Sequence, residues 1–172
     1  MNYAEIKTLD VANGPGIRLS LFVSGCNHKC VGCFNELAWD FNYGKPFDES
    51  TIDYIIETIN SGPYQGMTLL GGEPLEPVNQ KGLLPLVRRF KKECPDKDLW
   101  CFSGFTYEYI MENMCGKLEE TEELLSYIDV LVDGPFVQEK RNLMLKFRGS
   151  ENQRLIDLKK TLKENKVILW DK

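Results

Sequence analysis

Short apolar runs alternate with amphipathic stretches along the whole chain. "IRLSLFVSG" (Ile17 to Gly25) opens with the period-two alternation of a strand and stops at a glycine. "MTLLGG", "LWCFSG" and "DVLVDG" are shorter apolar runs that end the same way, while "LMLKFRGS" and "VILW" are weaker strand candidates. Between them the spacing turns helical. Ile52, Ile55, Ile56 and Ile59 share one face behind Ser50 and Asp53, which resemble a capping pair. Leu83, Leu86, Val87 and Phe90 form a second stripe, and "FTYEYIMENM" and "TEELLSYI" predict shorter helices. Ser150 and Gln153 make a capping box ahead of Leu155, Leu158 and Leu162, which predicts a last helix there.

Buried strands alternating with helices predict an α/β protein whose sheet is mostly parallel and built from βα units. At 172 residues the chain reads as a single domain, residues 1–172. A closed eight-unit barrel takes about 250 residues, so five or six units forming an open, partial β/α barrel are expected. Each candidate strand is followed by small or polar residues: the cysteine loop, "GGEP" (Gly71 to Pro74), "SGFT" (Ser103 to Thr106), "DGPF" (Asp133 to Phe136) and "RGSENQR" (Arg148 to Arg154). Ligands bind at the C-terminal ends of the strands in such folds, so these segments mark the chemical edge.

A net charge of −5 argues against a nucleic-acid partner, which calls for a basic footprint. The one basic cluster, Arg88, Arg89, Lys91 and Lys92, falls late in a helical stretch, where cations complement the helix dipole, and reads as a solvated helix end. No apolar run approaches the ~20 residues of a membrane span. The start "MNYAEIKTLD" lacks the basic and apolar pattern of a secretory signal. The expectation is a cytoplasmic protein with reduced thiols, where clustered cysteines bind metal more often than they form disulfides.

The six cysteines divide accordingly. Cys94, Cys101 and Cys115 are scattered and read as small buried hydrophobes. Cys26, Cys30 and Cys33 lie in "GCNHKCVGCFN", close enough for three thiolates to converge on one centre. Zinc would need a fourth ligand, from His28 or a distant cysteine, and His28 sits where a loop binding through its neighbours would point it away. A 4Fe–4S cluster on three thiolates would instead leave one iron open to a small molecule.

The spacing CxxxCxxC followed directly by Phe34, together with "GGEP", resembles the radical S-adenosylmethionine superfamily. "NGPGIR" (Asn13 to Arg18), "FVSGCNHKCVGCFN", "LGGEPL", "FSGFTYE", "VLVDGPF" and "RGSENQR" narrow the resemblance to the activating proteins of anaerobic ribonucleoside-triphosphate reductase, over residues 13 to 154. The resemblance implies a radical S-adenosylmethionine type partial barrel carrying a 4Fe–4S cluster on Cys26, Cys30 and Cys33, with S-adenosyl-L-methionine on the open iron. It implies an activase that cleaves this cofactor reductively and uses the 5′-deoxyadenosyl radical to make a glycyl radical on the reductase. A flavodoxin or ferredoxin-type donor would supply the electron. Gly71 and Gly72 would let backbone approach the cofactor closely, with Glu73 assisting or orienting the loop. Gly32 and Phe34 would place backbone and ring against the adenine, Cys33 would also belong to the cofactor site, and Ser103 and Asp133 would reach the ribose or methionine groups. Arg148 would pair with the carboxylate, and Arg18 would face the partner. No side-chain acid or base is called for. The alternatives are a formate-lyase type activase, a small-molecule radical enzyme, or a zinc-binding interaction module.

Overall fold

A computed structural model describes residues 1–171. Its elements run β1 (Asn2–Asp10), β2 (Arg18–Val23), β3 (Lys45–Pro46), α1 (Glu49–Ser61), β4 (Gly66–Gly71), α2 (Pro77–Glu93), β5 (Asp98–Phe102), α3 (Tyr107–Asn113), α4 (Thr121–Tyr127), β6 (Val130–Asp133), β7 (Arg154–Asp157) and α5 (Leu158–Glu164). They form one seven-stranded sheet in the order β3-β1-β2-β4-β5-β6-β7. The central strands β2, β4, β5 and β6 are parallel. On the flanks, β1 and β7 run antiparallel to β2 and β6, and β3 runs antiparallel to β1.

The sheet is open, and its βα repeat is shorter than the five or six units expected. Helical crossovers join only β2 to β4, β4 to β5 and β5 to β6. The remaining strands return antiparallel, so they need no helix. Two of the weak strand candidates also give way. Leu143 to Ser150 forms no strand, only the isolated bridge of Ser150 to Arg141, and "VILW" contributes one isolated bridge, Leu169 to Ile156.

The two isoleucine and leucine stripes form the helices they predict. Ile55 and Ile59 of α1 and Leu83, Leu86, Val87 and Phe90 of α2 are fully buried against Leu19, Leu21, Met67 and Leu69 of the sheet. Each such side chain contributes roughly 1.5–3 kcal/mol on burial, and this layer is the main core. The caps differ from those read in the sequence. Asp48, not Ser50, caps α1 by accepting from the Thr51 N–H at 3.0 Å. The Ser150–Gln153 pair makes half of its capping box, with the Gln153 side chain accepting from the Ser150 N–H at 3.1 Å. No helix follows it. The chain enters β7, and α5 begins only at Leu158, capped by Asp157. Leu155 and Ile156 are claimed by pairing with Val132 and Leu131.

The basic cluster is not simply solvated. Arg88 pairs with Glu123 of α4 at 2.6 Å, Arg89 with Asp53 of α1 at 2.5 Å, and Lys91 with Asp129 at 2.9 Å. Arg18 departs furthest from expectation, for it is fully buried and cannot face a partner. Its guanidinium donates to Asp98 (2.5 Å), Thr68 Oγ1 (2.8 Å) and the carbonyls of Pro15 and Met67 (both 3.0 Å). It thereby ties the entry of β2 to β4 and β5.

Candidate active site

Side chains alternate across a strand, and the register of the parallel strands turns this into a floor. Phe22 of β2 lies opposite Leu70 of β4, and Phe102 of β5 lies opposite Val132 of β6. All four line one cavity of about 480 Å³ at the C-terminal ends of the strands. One wall is the loop after β2, and another is the irregular segment between β6 and β7, which contributes Phe136, Leu145, Phe147 and Gln153.

Cys26, Cys30 and Cys33 all line this cavity, Cys26 buried and the other two half-buried. Their loop is held at both ends. Gly25 N–H donates to Ala38 O (2.7 Å) and Cys26 N–H to Trp39 O (3.2 Å), across the single-turn helix Glu36–Trp39. Burial pushes the Cys26 thiol up to about 11 and the Cys30 thiol upward as well, although backbone N–H groups aimed at each sulfur pull the other way. The thiols of Cys26 and Cys30 are therefore protonated at neutral pH, and a metal centre must displace those protons as it binds.

Glu73 is almost fully buried, and both of its oxygens are occupied. Oε1 accepts from His28 Nε2 at 2.6 Å and from the Gly104 N–H at 2.7 Å, and Oε2 accepts from the Leu75 N–H at 2.8 Å. Burial by itself would lower the His28 pKa, but the bond and charge of Glu73, with Glu76 behind it, raise it above the ordinary value. This contact occupies one of the two ring nitrogens of His28. Its Nε2 is engaged, and its ring packs edge-on against Phe105 at 4.4 Å. Cys94 and Cys101 are buried in the main core. Cys115 lies beside the Met111 sulfur. Among the described residues, no three His, Cys, Asp or Glu side chains close around a single ion. Three thiols on one cavity wall fit a 4Fe–4S cluster, whose usual ligands are cysteine thiolates.

Comparison with known proteins points to the same type of cluster. Residues 12–156 match the family model described as a 4Fe-4S single cluster domain. The chain is 46% identical over 155 residues to the anaerobic ribonucleoside-triphosphate reductase-activating protein of Pasteurella multocida, covering 89% of this chain and 95% of that one. The protein of the same name from Escherichia coli K12 is 42% identical over 159 residues (89% and 96%). That of Enterobacteria phage T4 is 40% identical over 157 residues (90% and 93%). The chain belongs to the family of anaerobic ribonucleoside-triphosphate reductase-activating proteins.

In this activating protein Cys26, Cys30, Cys33, Phe34, Gly71, Gly72, Glu73, Ser103 and Arg148 all line the one cavity. Gly72 is packed so tightly that a Cβ would come within 2.6 Å of Gly25 O and 2.8 Å of Ala38 O, both backbone atoms. The Phe34 ring pairs with Phe136 at 5.2 Å and lies under the Arg141 guanidinium at 5.5 Å. Ser103 Oγ accepts from the Phe105 N–H at 3.1 Å. The Arg148 guanidinium reaches the Gln153 carbonyl.

Two residues singled out in the sequence lie apart from the cavity lining. Gly32, at φ +78°, sits against the Gln138 side chain. Asp133 follows Val132 by one position, so strand alternation turns it to the opposite face, where it is buried. There it accepts from the Tyr107 N–H at the start of α3 (2.7 Å) and from Arg154 (2.5 and 3.0 Å). Sequence reasoning missed Trp39, which lines the cavity and carries a buried indole N–H with no hydrogen-bond partner. A lone tryptophan six positions beyond the last motif cysteine was the only sign of it.

Proposed function

We propose that Cys26, Cys30 and Cys33 hold a 4Fe–4S cluster with one iron free of protein ligands, and that this iron receives S-adenosyl-L-methionine. On this reading the protein activates an anaerobic ribonucleoside-triphosphate reductase by leaving a glycyl radical on it. The cluster's contribution, once loaded, is one electron to the sulfonium, which separates methionine from a 5′-deoxyadenosyl radical able to remove hydrogen from a backbone glycine. An external donor of the flavodoxin or ferredoxin type provides that electron.

The observation that carries the reading is the meeting of the three thiols with the Gly71–Gly72 strand end around one apolar cavity, where His28 is bonded through Nε2 to Glu73. The chain's own residues have four tasks. Gly71 and Gly72 keep the cavity wall free of side chains. Phe34 and Phe136 offer an aromatic surface to the adenine. Ser103 and Arg148 supply a hydroxyl and a cation for the ribose and methionine groups. Phe22, Leu70, Phe102 and Val132 exclude water from a radical that would otherwise be quenched.

Anaerobic reconstitution tests this. A brown protein that releases 5′-deoxyadenosine on reduction, and raises a carbon-centred radical signal in the reductase, is expected. Alanine at Cys26, Cys30 or Cys33 abolishes cleavage, and Cys94→Ala retains it. A colourless protein holding one zinc per chain, or loss of the cluster in Cys94→Ala, overturns the assignment.

A further inference from the structure

Two buried carboxylates grip consecutive residues of the cysteine loop. Glu76 Oε2 accepts from the Asn27 N–H at 2.8 Å, and Glu73 Oε1 meets His28 Nε2 at 2.6 Å. Both residues lie between Cys26 and Cys30. Glu73 passes the restraint on to two neighbouring strand ends through the N–H groups of Leu75 and Gly104. The histidine has little room to turn. A Cβ placed on Gly104 would fall 2.6 Å from its Cδ2, and Phe105 closes the ring from one side. Glu73, for its part, has no oxygen left without a protein donor.

We propose that His28 is a positioning residue: through Glu73 it fixes the Cys26–Cys30 segment in the conformation that retains the cluster. Glu73 then serves the cluster through His28 and the two backbone donors, without touching S-adenosylmethionine. The inference rests on the three-cysteine cluster proposed above. Its logic is that of any ligand-bearing segment whose orientation is set by outer hydrogen bonds, where losing such a partner weakens metal affinity about 10–100-fold. The cysteine loop has few other restraints of this kind. It has no strand ladder, and Lys29 in its middle holds a left-handed conformation at φ +51°.

The test reads iron release from anaerobically reconstituted full-length protein into a chelator, together with the paramagnetic spectrum of the reduced cluster, both without S-adenosylmethionine. His28→Ala should release iron at least ten times faster and broaden the spectrum, while the melting temperature of the iron-free protein stays near wild type. His28→Gln, which keeps a donor at about the Nε2 position, should restore retention. Glu73→Gln should release iron faster than wild type but less so than His28→Ala, since its one amide oxygen can serve only one of the two sides.

Wild-type iron release in His28→Ala overturns the proposal. So does weakened S-adenosylmethionine binding in Glu73→Gln with iron release unchanged, which would make Glu73 a contact residue. Should His28→Ala fail to fold, His28→Gln decides: retention restored supports the proposal, and a folded His28→Gln that sheds iron defeats it. A wild-type protein that holds its cluster but never cleaves S-adenosylmethionine would sink the proposed activity and leave this measurement intact.

Discussion

Arg18 is the residue at which local pattern and structure part most sharply. A charged side chain behind a Gly-Pro-Gly turn reads as exposed, yet its acceptors Thr68 and Asp98 come from 50 and 80 positions away. Nothing in a local window announces them. Replacing Arg18 with alanine removes the donor to Thr68 Oγ1 and to the Pro15 and Met67 carbonyls, and opens a cavity under Trp100. Breaking a buried pair costs about 3–5 kcal/mol. Asp98 is 30% exposed and can rehydrate, so a loss near the lower figure is expected in urea unfolding of Arg18→Ala. Glycines separate two kinds of cost. Gly71, at φ +115°, would place a Cβ 2.6 Å from Val23 N, whereas Gly116, at φ +80°, has open space around it. Gly116→Ala should therefore cost only backbone strain, about 1–2 kcal/mol. Gly71→Ala should cost more in the same melts and also loosen iron retention. Asp10 gives a pH dependence. Burial raises its pKa, but hydrogen bonds from the Ser20 hydroxyl, the Ala12 N–H and the Asn13 amide outweigh it and leave a net lowering from 3.8. A carboxylate lowered on folding stabilises the fold above its unfolded value and loses that contribution as the pH falls. Melting temperature should drop below about pH 4, and Asp10→Asn should flatten that limb.

At the scale of elements, what could be read depended on whether one face of the segment is buried. The isoleucines of α1 and the stripe on α2 were legible because the helical period lies within a dozen residues. So were the parallel strands, whose apolar runs are buried on both faces. The nine-residue β1 was not, since most of "NYAEIKTLD" is half-buried or exposed and its alternation is broken by register shifts after Tyr3 and Lys7. β7 was read as the start of a helix because Leu155, Leu158 and Leu162 keep helical spacing. Pairing with β6 overrides that local preference for Leu155 and Ile156. The cavity was legible from its glycines and cysteines, which mark strand ends by composition. Asp133 was misplaced by a single residue of strand alternation. Its role in the fold is therefore structural, joining the start of α3 to β7 through Arg154. Asp133→Ala should cost about 3 kcal/mol, the lower end of the range because Arg154 is 32% exposed. Hydrogen exchange at the Tyr107 amide should rise along with it, and unchanged exchange there would contradict the capping role.

Across the whole molecule, an open sheet leaves a problem that a closed barrel would not have: one face lacks strands to cover it. The chain answers with irregular structure. Phe147, from the segment between β6 and β7, and Trp170, near the C-terminal end, both pack on Trp100 of β5, at 5.4 and 5.0 Å between rings and nearly edge-on. Val130, Val132, Leu155 and Phe102 complete this second cluster, apart from the main core. Phe147 is also a wall of the active-site cavity, so the cover that stabilises the open side shapes the space for the cofactor. Trp170 itself is anchored by its backbone N–H, which donates to the Leu155 carbonyl at 2.8 Å. Truncating a buried Trp to alanine costs about 3–5 kcal/mol. Trp170 is only half-buried, so Trp170→Ala should lose less, about 2 kcal/mol by the same scaling, measured as a shift in urea midpoint with an unchanged slope. Tryptophan emission should move to the red as Trp100 gains water. Because Phe147 loses a neighbour at the same time, the S-adenosylmethionine binding proposed above should weaken in Trp170→Ala, even though Trp170 does not line the cavity. Full stability with unaltered emission would mean that the C-terminal segment merely rests on the sheet and does not close it.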